Sequence, residues 1–191
     1  MLTQLAGMKK VQQVLATPDR DDPSRSAALS RFVDPSSSPR YYTSIWRTFT
    51  NIYPLDEHTP AGQLARRLAT DPEQCQRYVM KPQREGGGNN FYRSAIPRHL
   101  ATLPKPHWSS FILMELITPP PLQNTILRQG LIEQGGVICE LGVYGTCLWD
   151  QQTGEVLHNA EAGYLLRTKG DQSEEGGVAA GFGCMDSVYL V

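Results

Sequence analysis

Apolar residues Leu2, Leu5, Met8, Val11 and Leu15 recur at three- and four-residue steps, which predicts a helix that ends before Pro18. From Thr17 to Arg40 the periodicity breaks. Asp, Ser, Pro and Arg dominate there, with Pro18, Pro23, Pro35 and Pro39 as breakers, so residues 17–40 are expected to form a mobile insertion loop. Tyr42, Ile45, Trp46, Phe49, Ile52 and Tyr53 restore a helical stripe, read as packing. Thr59-Pro60 is a helix start, cap followed by proline, with Leu64 and Leu68 as its buried face and Asp71-Pro72 as its end. Tyr78-Val79-Met80 reads as a short buried strand. Ser94, Pro97, Leu100 and Leu103 suggest a short helix, and residues 110–117 a buried strand stopped by Pro119-Pro120-Pro121. From Val137 to Trp149 β-formers prevail. Asp150 to Gly154 looks like a turn into Glu155-Val156-Leu157-His158, so antiparallel sheet is expected, with a closing strand at the end of the chain.

Composition narrows the function classes. At 191 residues, with 40% hydrophobic and 19% charged side chains, the chain can bury a core as one domain or one and a half. A net charge of −1 gives no electrostatic case for nucleic acid or an anionic membrane as partner. No run approaches the roughly 18 apolar residues of a membrane span. Met1 to Lys10 lacks the order of a signal peptide. Cys75, Cys139, Cys147 and Cys184 have no metal-ligand spacing and are expected to be reduced and mostly buried, which makes the cytoplasm the expected address. His58, His99, His107 and His158 also lack ligand spacing and are read as structural.

The chemistry concentrates in Lys81-Pro82-Gln83-Arg84-Glu85-Gly86-Gly87-Gly88-Asn89-Asn90, a loop leaving the Tyr78-Met80 strand. Three glycines without Cβ atoms let backbone N–H groups approach a bulky anion. Two cations, a carboxylate and two amides surround them. Lys can act as a point charge on phosphate, the amides as donors and Glu85 as a hard oxygen ligand for Mg²⁺. No Gly-Lys-Ser/Thr closes the loop, so it is not a Walker A motif. Further along, Glu140 sits in an apolar strand where an unpaired carboxylate would be expensive, and it calls for a buried partner, a ribose hydroxyl or a metal. Arg167 and Lys169 are read as pointing to opposite faces of a strand, Arg suited to a carboxylate and Lys to a phosphate. Gly176 to Gly181 is too small-sided for a packed helix and fits a lid that closes over a substrate.

The decapeptide resembles the glycine-rich loop of eukaryotic-type glutathione synthetase, an ATP-grasp ligase. Met114-Glu115-Leu116-Ile117, Glu140-Leu141-Gly142, Leu165 to Lys169 and Gly176 to Gly181 follow in that family's order and approximate spacing. The resemblance covers the carboxy-terminal portion of the family enzyme, which is more than twice this long, and is loose over residues 17–75. It implies an α+β fold, ATP-grasp-like, with an antiparallel sheet, flanking helices and glycine-rich lid loops, incomplete relative to the full-length family. Residues 1–16 would be a helical segment entering the ATP-grasp region, 17–40 an insertion loop, and 41–191 the nucleotide-binding and lid region.

By the same resemblance ATP would contact Lys9, residues Lys81 to Asn90, Tyr92, Met114, Glu115, Leu116, Ile117, Glu140, Lys169 and Glu175. Glu85 would hold Mg²⁺, while Arg167, Val178 and Ala179 would contact the peptide substrate. The implied reaction joins γ-glutamylcysteine to glycine through an acylphosphate at the expense of ATP. The shorter length leaves two further readings: an inactive nucleotide-binding fragment or pseudo-enzyme, or one half of a split ligase. A homodimer or a separate amino-terminal half are the implied macromolecular partners.

Overall fold

The computed structural model describes residues 2–84, 88–179 and 181–188. They form an α+β arrangement with two antiparallel four-stranded sheets. The chain divides into two compact units, each taken by itself here: the first holds the described residues through Arg84 and Asn89–Thr118, the second Gly88 and those from Pro119 on. No helix among the described residues is long and apolar enough to cross a membrane.

The first unit opens with two short helices, α1 (Leu2–Ala6) and α2 (Lys9–Leu15), where periodicity suggests one. Met8 takes extended angles between them, next to Gly7, which holds a helix weakly. In residues 17–40 aspartate side chains cap successive turns, Asp19 on the Asp21 N–H and Asp34 on the Ser36 N–H. The segment also buries Leu29 and Ser26, whose N–H donates to the Tyr42 hydroxyl. The aromatic stripe beyond it is not one helix. Helix α3 (Pro39–Trp46) stops at Trp46, and Ile52–Pro54 forms strand β1. Pairing with a distant strand wins there over local periodicity.

Helix α4 (Pro60–Thr70) starts as expected, the Thr59 hydroxyl accepting from the Gly62 N–H. Its buried face differs from the expected one: Gly62, Ala65 and Ala69 pack inward, Leu68 is partly buried and Leu64 is exposed. Strand β2 (Tyr78–Pro82) follows, then β3 (Phe91–Tyr92), helix α5 (Ala95–Leu100) and β4 (Phe111–Glu115). The sheet order is β1-β4-β2-β3, all neighbours antiparallel. Leu55, Met80, Ile96, Leu100, Trp108 and Leu113 form its core with the small residues of α4.

The second unit contains strands β5 (Leu122–Arg128), β6 (Leu131–Trp149), β7 (Val156–Gly170) and β8 (Cys184–Asp186), hydrogen-bonded in that order. The turn between β6 and β7 lies where the sequence places it: Asp150 accepts from the N–H groups of Gln152 and Thr153, and Gly154 takes φ of +75°. The closing strand is Cys184–Asp186, and the remainder of that expectation, Tyr189 to Val191, lies outside the described residues. Of the four cysteines, all free, Cys75 is buried, Cys139 and Cys184 are half-buried, and Cys147 is exposed at the far end of β6. The expectation of burial fails for Cys147.

Two stability predictions follow from the start of α4. A Cβ at Gly62 would stand 2.0 Å from the Asp56 carbonyl oxygen, so Gly62→Ala should cost about 1–3 kcal/mol, read as a lower urea midpoint. The Asp56 carboxyl is the second. Burial raises its pKa, but donation from the Thr59 hydroxyl and the Thr59 and His58 N–H groups more than offsets this and holds it below 3.8. That contribution is complete above 3.8 and disappears as pH falls through the lower folded value. Thermal melts should show a smaller acid loss in Asp56→Asn than in the parent.

Candidate functional site

In the first unit the candidate loop is the connection between β2 and β3. The register sets Lys81 opposite Ile112, Pro82 opposite Phe111, and Val79 opposite Tyr92. Both ends of the loop are therefore held on a sheet whose core is closed by Met80 and Leu113. Phe91, the first residue after the loop, stacks on His99 at 3.7 Å and meets Phe111 edge-on, which gives His99 the structural role expected. Gln83 reaches out of the loop and accepts from the Lys10 N–H at 2.7 Å, tying the first turn of α2 to the loop. That brings Lys9, which also donates to Gln12, onto the element that abuts the loop. Asn90 donates to the Tyr92 hydroxyl at 3.4 Å, and Gly88 adopts φ of +69°, the left-handed region that glycine enters at no steric cost. Glu85, Gly86 and Gly87 lie outside the described residues.

The strand end expected to read a base is β4 with Leu116 and Ile117. The Glu115 side chain is occupied: Arg77 contacts one oxygen at 2.7 Å and Asn51 donates to the other at 2.7 Å. The Glu115 N–H donates to the Asn51 carbonyl and the Leu116 N–H to the Arg77 carbonyl. A purine edge read by those two amides would have to displace these bonds. Arg77 and Asn51 have no mark in the sequence, because their partner lies 38 and 64 residues away. Gln13, one turn beyond Lys9, also escaped notice. It is 4% exposed, and its side-chain amide oxygen Oε1 meets no hydrogen-bond partner among the described residues.

In the second unit, Glu140 and Arg167 are directly opposed across β6 and β7 and join at 2.7 Å. This corrects the reading of Glu140 as a carboxylate sunk in an apolar strand: both partners are more than 40% exposed. Arg167 and Lys169 do not point to opposite faces. Residues two apart on a strand share a face, and Glu140 lies on that same face through its register with Arg167. The three charges thus form one row.

Lys169 is 8% exposed and donates to the Glu174 carbonyl at 3.1 Å. Glu175 is half-buried, its carbonyl accepting from the Ser173 hydroxyl. The second glycine-rich stretch lies over the row, since a Cβ at Gly176 would stand 3.2 Å from a Glu140 carboxylate oxygen. The stretch closes on itself through Phe182 N–H to the Gly177 carbonyl and Gly181 N–H to the Val178 carbonyl. Val178 is half-buried and Ala179 exposed at its bend. Ala180 lies outside the described residues.

This face offers fixed cations, one carboxylate and a backbone-rich loop, a set suited to an anion. A guanidinium has five N–H donors, and one terminal nitrogen of Arg167 makes the Glu140 contact, so a second carboxylate can share the fork. Among the described residues no group of three His, Cys, Asp or Glu side chains could hold a metal ion.

The comparisons with known proteins agree with one another. The family model described as eukaryotic glutathione synthase, ATP binding domain, matches residues 1–190. The chain is 42% identical over 188 residues to the glutathione synthetase large chain of Schizosaccharomyces pombe, covering 98% of this chain and 35% of that protein. It is 37% identical over 191 residues to glutathione synthetase of Homo sapiens, covering 99% of this chain and 37% of that one. Among solved structures, a glutathione synthetase-like effector from Globodera pallida in apoform superposes with a TM-score of 0.62 at 21% identity, over 98% of this chain and 35% of that one. At that identity the likeness speaks for the fold alone. The chain spans about a third of the length of the curated relatives it matches.

An exposed ion pair contributes about 1 kcal/mol or less. Arg167→Met should therefore leave the urea midpoint nearly unchanged, within about 1 kcal/mol, so that any loss of ligand affinity in it reads as lost recognition.

Proposed function

The chain belongs to the eukaryotic glutathione synthase family, through its ATP-binding domain, and on that premise we propose that it serves ATP-dependent ligation of γ-glutamylcysteine to glycine. The fold we assign is ATP-grasp-like, with 41–191 as its nucleotide-binding and lid region after a helical entry (1–16) and an insertion (17–40). The observation that carries the reading is the row Glu140–Arg167–Lys169 under a glycine-rich loop, in a chain whose other glycine-rich loop is tied to α2 through Gln83.

In this reading ATP transfers its γ-phosphoryl group to the cysteinyl carboxylate, giving an acylphosphate and ADP. The glycine amine attacks the acyl carbon, the amide bond forms, phosphate leaves and the amine loses a proton. Such chemistry needs positioning and charge neutralisation more than covalent help from the protein. Lys9, Lys81 and Lys169 offset triphosphate charge. Arg84, Gln83, Asn89 and Asn90 supply donors around the phosphates, and Tyr92 and residues 114–117 flank the base. Arg167 holds a substrate carboxylate, and Val178 and Ala179 offer backbone groups at the bend of the second loop. Glu175, with its carbonyl fixed by Ser173, borders the nucleotide. Closing both loops excludes water, which would hydrolyse an acylphosphate.

Magnesium bound with a nucleotide needs only one or two carboxylates besides the phosphates. Glu85 is the carboxylate we assign to it, and the ion would neutralise charge on the phosphates. We assign the protein to the cytoplasm on its four free cysteines.

Because the chain spans about a third of its relatives, a second reading stands beside the first: a nucleotide-binding portion without ligase activity by itself, whether an inactive fragment, a pseudo-enzyme or one half of a split ligase. Calorimetry with Mg-ATP tests what the two share. The parent should release binding heat and Lys81→Ala should bind about 10–100-fold more weakly; absence of heat from the parent would sink both. ADP release on adding γ-glutamylcysteine and glycine then separates ligase from binding portion.

A further inference from the structure

We propose that the face of the β6–β7 ribbon bearing Leu141, Val143, Tyr164 and Leu166 is a docking surface for the polypeptide that makes up the other two-thirds of the family's length. The register pairs Leu141 with Leu166 and Val143 with Tyr164. The alternation of a strand puts these four on the face opposite Glu140, Arg167 and Lys169. One face of this ribbon therefore holds the charged row, and the other carries this apolar stripe with Thr168 and Asp186 at its base. Leu141, Val143 and Tyr164 are 58%, 71% and 67% exposed.

A sheet that is hydrophobic on one face must bury it against another layer. Among the described residues the second unit contains strands and turns only, and its buried apolar side chains are Ile126 and Val137. Both lie where β5 and β6 pair, on the stripe's own face but short of it along β6, and they leave Leu141, Val143 and Tyr164 exposed. The ribbon is also thin. Partnering by β5 ends at Val137, and β8 covers β7 only between Leu166 and Thr168. Beyond those points, among the described residues, β6 and β7 pair only with each other, and an isolated two-stranded ribbon is marginally stable in water. Its far end exposes Leu148, Trp149, Val156 and Leu157 as well.

The family relation says what covers it. Relatives that match nearly all of this chain devote only 35% and 37% of their length to the match. In those relatives the rest shares one chain with the matched part, and an uncharged stripe of this kind is suited to receive an apolar face of that polypeptide. The proposal rests on family membership and geometry, and is independent of the nucleotide reading.

The test mixes the full 191-residue chain with the portion of the Schizosaccharomyces pombe relative that this chain does not match, made as a separate polypeptide. The parent should form a one-to-one complex. The triple variant Leu141→Ser, Val143→Thr, Tyr164→Ser should lose at least about a hundredfold in affinity while its Mg-ATP heat equals the parent's. Hydrogen exchange on the parent gives a readout that needs no variant: amides of residues 141–143 and 164–166 should gain protection on mixing. No complex with the parent, equal affinity in the triple variant, or unchanged protection would overturn the proposal. So would a homodimer of the parent that the same substitutions dissolve, because a second copy would then be the occupant. Failure of Mg-ATP binding with an intact complex would strike the functional reading and leave this one standing.

Discussion

The antiparallel pairing of β6 with β7 is the constraint on which the second unit depends. Its hydrogen bonds set Glu140 against Arg167 and Ile138 against Lys169. With those pairs fixed, alternation decides which side chains share a face. A slip of one residue would turn Arg167 and Lys169 to the side now held by Leu141 and Val143. The charged row and the apolar stripe are thus two consequences of one register. The Glu140–Arg167 ion pair, half-exposed, marks the register more than it enforces it.

In the first unit the comparable constraint is the β2–β4 pairing. It puts the start of the loop on a strand with Val79 and Met80 buried and Leu113 facing it from β4. A loop rich in glycine has high conformational entropy. Here the strands fix its ends, and the Gln83 contact ties it to α2.

Each unit presents cations beside a glycine-rich loop, but the two are not built alike. The first has a packed core with helices α4 and α5 on its sheet. The second has few buried apolar side chains among its described residues and two that are polar, Thr168 and Lys169. Thr168 donates to Asp186 and contacts the Cys139 sulfur. This buried polar cluster sits at the base of the apolar stripe. Much of this sheet is exposed, and the chain spans about a third of the length of the relatives it matches.

Much of the architecture was determined by the sequence alone, because it rests on local chemistry. Thr59-Pro60 caps α4, Asp150 to Gly154 turns the ribbon, and alternating β-formers make β6 and β7. The resemblance of Lys81 to Asn90, with the motifs at 114–117, 140–142, 165–169 and 176–181 that follow it, named the family. Tertiary structure alone decided the partners. That Arg77 and Asn51 hold Glu115, that Gly62 lies against Asp56, that Ile52 joins a strand rather than a helix, and that Arg167 neutralises Glu140 all depend on contacts between residues distant in sequence. Periodicity reports how a segment relates to itself, whereas burial and pairing depend on what arrives from elsewhere in the chain. For that reason Leu64 could read as core and lie exposed, while Gly62 and Ala65, silent in the pattern, took its place.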